Sequence, residues 1–265
     1  MHEAQMKKTF LGAGLALALA ATAGSSRAAD DFTWSGRVAE GQAIEIKGVN
    51  GNIRAEAGSG PEVQVTATKT ARRSDPESVK VEVVEHGAGV TICAVYPPSE
   101  GRTNECAPGK GGRMNVHDND VQVEFTVRVP AGVRFVGRSV NGGITATGLK
   151  GSVEAYTVNG GVEVETAGFA EADTVNGLIS VRVGRADWTG RARFKTVNGS
   201  ISVTLPADAN ADISARTVNG SVDTDFFVSP ERGSFKHRKL SGRIGDGGRE
   251  IDLETVNGSI ELRKN

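Results

Sequence analysis

The chain has 265 residues, 35 of them glycine, with 5% aromatics and a formal net charge of −1. So balanced a charge gives no support to nucleic acid or an anionic membrane as a partner held by bulk electrostatics. The glycine supply and scarce aromatics fit one turn-rich all-β domain with a thin aliphatic core.

At the start, Lys7 and Lys8 precede an apolar run from Phe10 to about Ala21, followed by small residues. The run is too short to span a bilayer comfortably, so positions 1–28 read as a secretory signal peptide, cleaved after Ala23 or Ala28. The mature protein is then exported, periplasmic or cell-surface, with no membrane span after processing. No cysteine lies near either junction, which argues against a lipid anchor.

Residues 29–130 read as an N-terminal β cap with the first rungs. Alternating runs predict strands over 42–47, 52–56, 63–68, 79–84, 90–94 and 121–129. Ser74-Asp75-Pro76-Glu77 predicts a helix start or a tight turn. Pro97 to Asp118 holds seven Gly or Pro residues and no periodicity, so 94–119 is expected to be a projecting excursion. Cys93 and Cys106 flank its first part, and an oxidising compartment favours joining them. Closing so short a loop contributes about 3 kcal/mol by chain entropy.

From 131 to 265 one word dominates. Val-Asn-Gly recurs seven times, with central residues Asn50, Asn141, Asn159, Asn176, Asn198, Asn219 and Asn257, and Thr precedes it in five copies. The steps are 91, 18, 17, 22, 21 and 38 residues, and Lys239-Leu240-Ser241-Gly242-Arg243-Ile244 reads as a worn copy inside the last gap. Such a period belongs to stacked repeats. Asn-Gly suits a left-handed turn, so each copy reads as a corner. Runs of period two flank it, as in Ile201, Val203, Leu205 after one copy and Ile251, Leu253, Thr255 before another. An antiparallel hairpin is the rival. The likeness of successive strands instead favours a parallel β-helix, or β-solenoid, whose corner asparagines form a hydrogen-bonded ladder.

The repeated T-V-N-G-[SG]-[IV], the opening Phe32-Thr33-Trp34-Ser35-Gly36, and Val127-Arg128-Val129-Pro130-Ala131-Gly132-Val133 resemble the bacterial putative-adhesin family, domain of unknown function 4097. The likeness covers essentially all of the mature chain. It implies a right-handed parallel β-helix in an exported or membrane-associated envelope protein, with no functional residues to carry over.

Outward columns beyond the corners are Thr145 and Thr147, Glu163 and Glu165, Ser180 and Arg182, Ser202 and Thr204, Asp223 and Asp225, and Glu261 and Arg263, a solvated face without aromatic platforms. Val140, Val158, Val175, Val197, Val218 and Val256 are expected to fold into the corners; pointing outward they would make an apolar stripe suited to self-association. Arg263 and Lys264 carry charge where a bare sheet edge would need it. His86, His117 and His237 are scattered, and His117-Asp118-Asn119-Asp120 reads as turn chemistry rather than a calcium site. No catalytic, cofactor-binding or metal-binding residue is assigned. The expected function is a non-catalytic adhesin-like binding or scaffolding module, its envelope protein or glycan ligand unspecified. The alternatives are a carbohydrate-active β-helix enzyme working through Asp223 and Asp225, and an envelope-stress sensing component.

Overall fold

The computed structural model describes residues 27–28, 32–99, 101–185, 188, 190–236 and 238–265. Apart from 27–28, the expected signal peptide and its junctions lie outside the described residues, as does His237. Among the described residues, regular structure is all β except for one short 3-10 turn at Pro76–Ser78. That turn is where Ser74 to Glu77 predicts one: Asp75 caps it by accepting the Glu77 N–H, with proline in the first turn.

Two 11-stranded sheets face each other. In each rung the chain passes from one sheet to the other, one strand in each, and turns at the Asn-Gly corner. A rung is therefore a strand before the corner, the corner, and a strand after it. The Asn159 rung, for example, is Val153–Tyr156 and Val162–Thr166. Neighbouring rungs pair in parallel and in register, so Ile144, Val162, Ile179, Ile201 and Ile260 stack in one buried column. The result is a flat, solenoid-like rack with small aliphatic residues between its sheets.

Spatial order departs from chain order at both ends. The Asn50 rung, Ala43–Lys47 and Ile53–Ala57, is inserted between the Asn141 rung and the strands Gly89–Val95 and Gln122–Val129. The Asn257 rung, Glu250–Asn257 and Ile260–Lys264, is inserted between the Asn198 and Asn219 rungs. The last strand is thus interior, and Arg263 and Lys264 do not guard an edge. The edge is Val222–Thr224, three residues long, with Asp223 facing out. Short length and charge are standard protection for such a strand.

The worn copy at Ser241 is not a corner. Lys239–Ile244 is a strand running antiparallel to Ala211–Asn219, with Ser241 opposite Ser214. Without Asn-Gly this segment has no corner to stack, and it closes one end of its sheet together with Ser229–Lys236. Other antiparallel strands close the opposite end: Val63–Ala71 in one sheet and Lys80–His86 in the other.

Candidate functional site

The corners form one continuous polar column. Asn141 Nδ2 donates to Asn50 Oδ1 at 2.9 Å, Asn159 to Asn141 and Asn176 to Asn159 at 2.8 Å, and Asn198 to Asn176 at 2.7 Å. Asn257 then donates to Asn198, and Asn219 to Asn257, both at 2.8 Å. The ladder thus follows spatial order. Near its first rung the buried Tyr96 hydroxyl donates to Val121 O at 2.7 Å. Burial pushes the Tyr96 pKa up to about 12, so it stays a donor.

Beneath the asparagines runs a second column. The buried hydroxyls of Thr157, Thr174, Thr196, Thr255 and Thr217 donate to Gly142, Gly160, Gly177, Gly199 and Gly258 carbonyls at 2.8–3.0 Å. This is why Thr precedes Val: a β-branched residue whose methyl suits the strand interior and whose hydroxyl satisfies a carbonyl of the adjoining rung.

The glycine has a different reason from the one its dipeptide suggests. Only Gly51 and Gly258 among the corner glycines have positive φ. A Cβ on Gly142, Gly160, Gly177, Gly199, Gly220 or Gly258 would instead sit 1.9–2.3 Å from a neighbouring glycine's carbonyl oxygen. Close stacking, not left-handed backbone, excludes a side chain at most corners.

Except for Val49, which packs against the core, the valines that precede the corner asparagines point outward, contrary to the expectation that they fold into the corner. Val140, Val158, Val175 and Val218 are 37–55% exposed, while Val49, Val197 and Val256 are half-buried. Because Thr already faces in, strand alternation forces Val out. With Leu178, 58% exposed, they form an apolar stripe beside the Asn ladder.

The excursion does not project. Cys93 and Cys106 are joined, with Cα atoms 5.7 Å apart, and the following loop folds back on the outer face of the rack. Lys47 Nζ donates to the carbonyls of Ala107 (2.7 Å), Gly109 (3.0 Å) and Gly111 (2.8 Å). Burial lowers the Lys47 pKa, with Glu45 opposing. Glu45, nearly buried, accepts from Arg138 Nε at 2.8 Å, Thr91 Oγ1 at 2.9 Å and Gly109 N–H at 2.8 Å. A cleft of about 190 Å³ remains between loop and rack, lined by Lys47, Val49, Met114, Arg138 and Val140 among others.

Sequence reasoning missed the outward columns that precede the corners, although they lie at a fixed spacing. Three residues before each Asn stand Lys47, Arg138, Tyr156, Asp173, Lys195, Glu254 and Arg216, adjacent in that order. Arg138 lies over the Tyr156 ring at 4.2 Å, and the single Tyr156 O–H has two carboxylate acceptors within reach, Glu154 at 3.1 Å and Glu171 at 3.2 Å. Burial, then the charges of Glu154 and Glu171, raises the Tyr156 pKa. Arg193 meets Glu171 at 3.2 Å and Arg216 meets Glu254 at 3.0 Å.

The columns after the corners are polar, as expected. Asp225 accepts from Lys264 N–H at 3.2 Å and pairs with Arg263 at 3.1 Å, so its pKa is lowered. Glu163 and Glu165 are exposed. In the His117–Asp120 segment, Asp120 accepts from Arg73 and Ser74 N–H groups, while Asn119 bonds Ser78 and Val121. Among the described residues no group of three or more His, Cys, Asp or Glu is placed to hold a metal. No helix among them is long and apolar enough to cross a membrane.

Residues 137–263 match the model of a family described as Toastrack DUF4097. A comparison with curated proteins returns no match. Among solved structures, a "putative cell adhesion protein" from Clostridium sporogenes aligns at 11% identity with TM-score 0.48, covering 89% of this chain and 100% of that one. A "putative adhesin" from Bacteroides fragilis aligns at 11% identity with TM-score 0.39, covering 89% and 97%.

Proposed function

Residues 137–263 belong to the Toastrack DUF4097 family, and from that premise we propose that the protein is a non-catalytic, exported, adhesin-like module of the bacterial cell envelope. It binds or scaffolds by repeated contact along a rigid surface, on a coil taken to be right-handed. The observation that carries this reading is the outward valine column, four of whose members are 37–55% exposed. Val140, Val158 and Val175 sit on adjoining rungs and make a contiguous exposed stretch, which the half-buried Val197 and Val256 separate from Val218, and contiguous exposed apolar surface marks docking. The ladders beneath it fix the spacing, so partner groups meet a preformed array and little ordering entropy is lost.

A carbohydrate-active enzyme would need a protonated general acid beside a second, ionised carboxylate. A general acid requires a raised pKa. Asp225, one member of the acidic pair, is held ionised by the Lys264 N–H and by Arg263, which does not suit the general-acid role.

The test compares the mature protein with a Val158→Glu, Val175→Glu double variant. Both are titrated against envelope fractions, and thermal unfolding is recorded alongside. Saturable binding weakened roughly tenfold or more by the variant, with unchanged unfolding, supports the valine column, since each 1.4 kcal/mol is a factor of ten. Undiminished binding removes it. Turnover of a uronate polymer, lost on changing Asp223, would instead establish the enzyme.

A further inference from the structure

We propose that Asn219 is a site of spontaneous deamidation in the folded protein, and that the stacking of the rack protects the other six Asn-Gly corners. The inference holds whether or not the valine column is a binding surface.

The reaction is intrinsic to Asn-Gly and needs only water. The glycine backbone nitrogen attacks the asparagine Cγ, forming a new C–N bond and closing a five-membered imide. The bond between Cγ and Nδ2 breaks, and Nδ2 leaves as ammonia, carrying off the proton lost from the attacking nitrogen. Water then opens the ring at either carbonyl to give aspartate or isoaspartate. Glycine is the most permissive follower because no side chain hinders the approach. Two restraints oppose the step: a hydrogen bond that occupies the glycine N–H, and bonds that hold the side-chain amide away.

Six corners have the first restraint. The N–H groups of Gly51, Gly142, Gly160, Gly177, Gly199 and Gly258 donate to the backbone carbonyls of Asn141, Asn159, Asn176, Asn198, Asn257 and Asn219, at 2.9–3.0 Å. In each case the acceptor belongs to the next rung. The Asn219 rung has no next rung, and the Gly220 N–H makes no hydrogen bond among the described residues. The second restraint is weakest at the same place. Asn141, Asn159, Asn176, Asn198 and Asn257 each donate to one ladder neighbour and accept from another, whereas Asn219 only donates, to Asn257. Asn219 is exposed, and its following strand Val222–Thr224 has a single neighbour, Ile260–Lys264, among the described strands.

The product adds a negative charge at the open end of the rack, beside Val218 and near Asp223. Isoaspartate also lengthens the backbone by one carbon between residues 219 and 220 and turns the Asn219 carbonyl, which accepts the Gly258 N–H, into a free carboxylate.

The experiment ages the folded protein in warm, mildly alkaline buffer, with a parallel sample in concentrated urea, and maps aspartate and isoaspartate by peptide mass spectrometry. In the folded sample the Asn219 peptide should convert roughly tenfold faster than any other corner, because inner corners react only after local opening. In urea all seven should convert at similar rates. Comparable conversion at several corners of the folded protein, or an Asn219 as inert as its neighbours, overturns the proposal.

Discussion

A Cβ on Gly199 would lie 2.0 Å from the carbonyl oxygen of Gly177, on the rung beside it. The contact is backbone on backbone within two parallel sheets, so neither side can yield without breaking register. Gly199→Ala is therefore expected to destabilise by roughly 1–3 kcal/mol or more, the range of overpacked cores. Gly60, which has open space around it and no positive φ, is the control. Gly60→Ala should be neutral or slightly stabilising through the unfolded state. Urea midpoints for the two variants check this, and equal effects would refute the stacking argument.

The hydroxyl column makes a separate demand. Thr196 is fully buried and donates to Gly177 O at 3.0 Å. Thr196→Val keeps shape and volume but removes the donor, at a cost of about 1 kcal/mol, while Thr196→Ser keeps the hydrogen bond and loses a methyl. In the exposed ladder, Asn176 makes two bonds and Asn219 one. Asn176→Ala should cost about twice what Asn219→Ala does, at roughly 0.5–1.5 kcal/mol per bond. Chemical denaturation separates these cases.

These corners are legible in the sequence because each rung must present the same backbone shape to the next, so the same residues recur. The order of the rungs is not legible. Any Thr-Val-Asn-Gly corner offers the same donors and acceptors to any other, so nothing local says that Asn257 sits between Asn198 and Asn219. The orientation of Val218 follows from that of Thr217 by strand alternation, yet an apolar residue beside a turn is ordinarily core. The docking of the excursion is written nowhere near it, because Lys47 lies 60 residues before Ala107. Such long-range pairing leaves no periodic trace.

Beside the Gly109 N–H bond to Glu45, two separable restraints hold the excursion. The Cys93–Cys106 bond closes the short loop, and the Lys47 ammonium gathers three carbonyls beyond it. Reduction with a dithiol should lower stability by about 3 kcal/mol on the chain-entropy estimate. Lys47→Met fills the same stem but removes all three bonds, and should raise proteolytic cleavage within 107–112 with the disulfide intact. If cleavage there rises only on reduction, Lys47 is not a clamp.

Two aspartates predict opposite responses to pH. Asp120 accepts backbone N–H bonds from Ser74 and Arg73, and these hold its pKa at about 2, below the ordinary 3.8. The folded state therefore favours its ionised form. That contribution is complete above about pH 4 and is lost as pH falls toward about 2, so Asp120→Asn should flatten this part of the acid-unfolding curve. Asp173 is shifted upward, chiefly by burial, although Arg193 and Lys195 pull against it. Its folded state favours the protonated form, so its contribution is present below the unfolded pKa and disappears as pH rises through the folded one. At neutral pH the ionised Asp173 is a net cost, and Asp173→Asn, which keeps the shape without the charge, should raise the urea midpoint there. The same substitution should give no such gain in strong acid. A variant less stable than the parent at neutral pH would mean that the carboxylate's attraction to Arg193 and Lys195 outweighs its desolvation, reversing the sign assigned to this position.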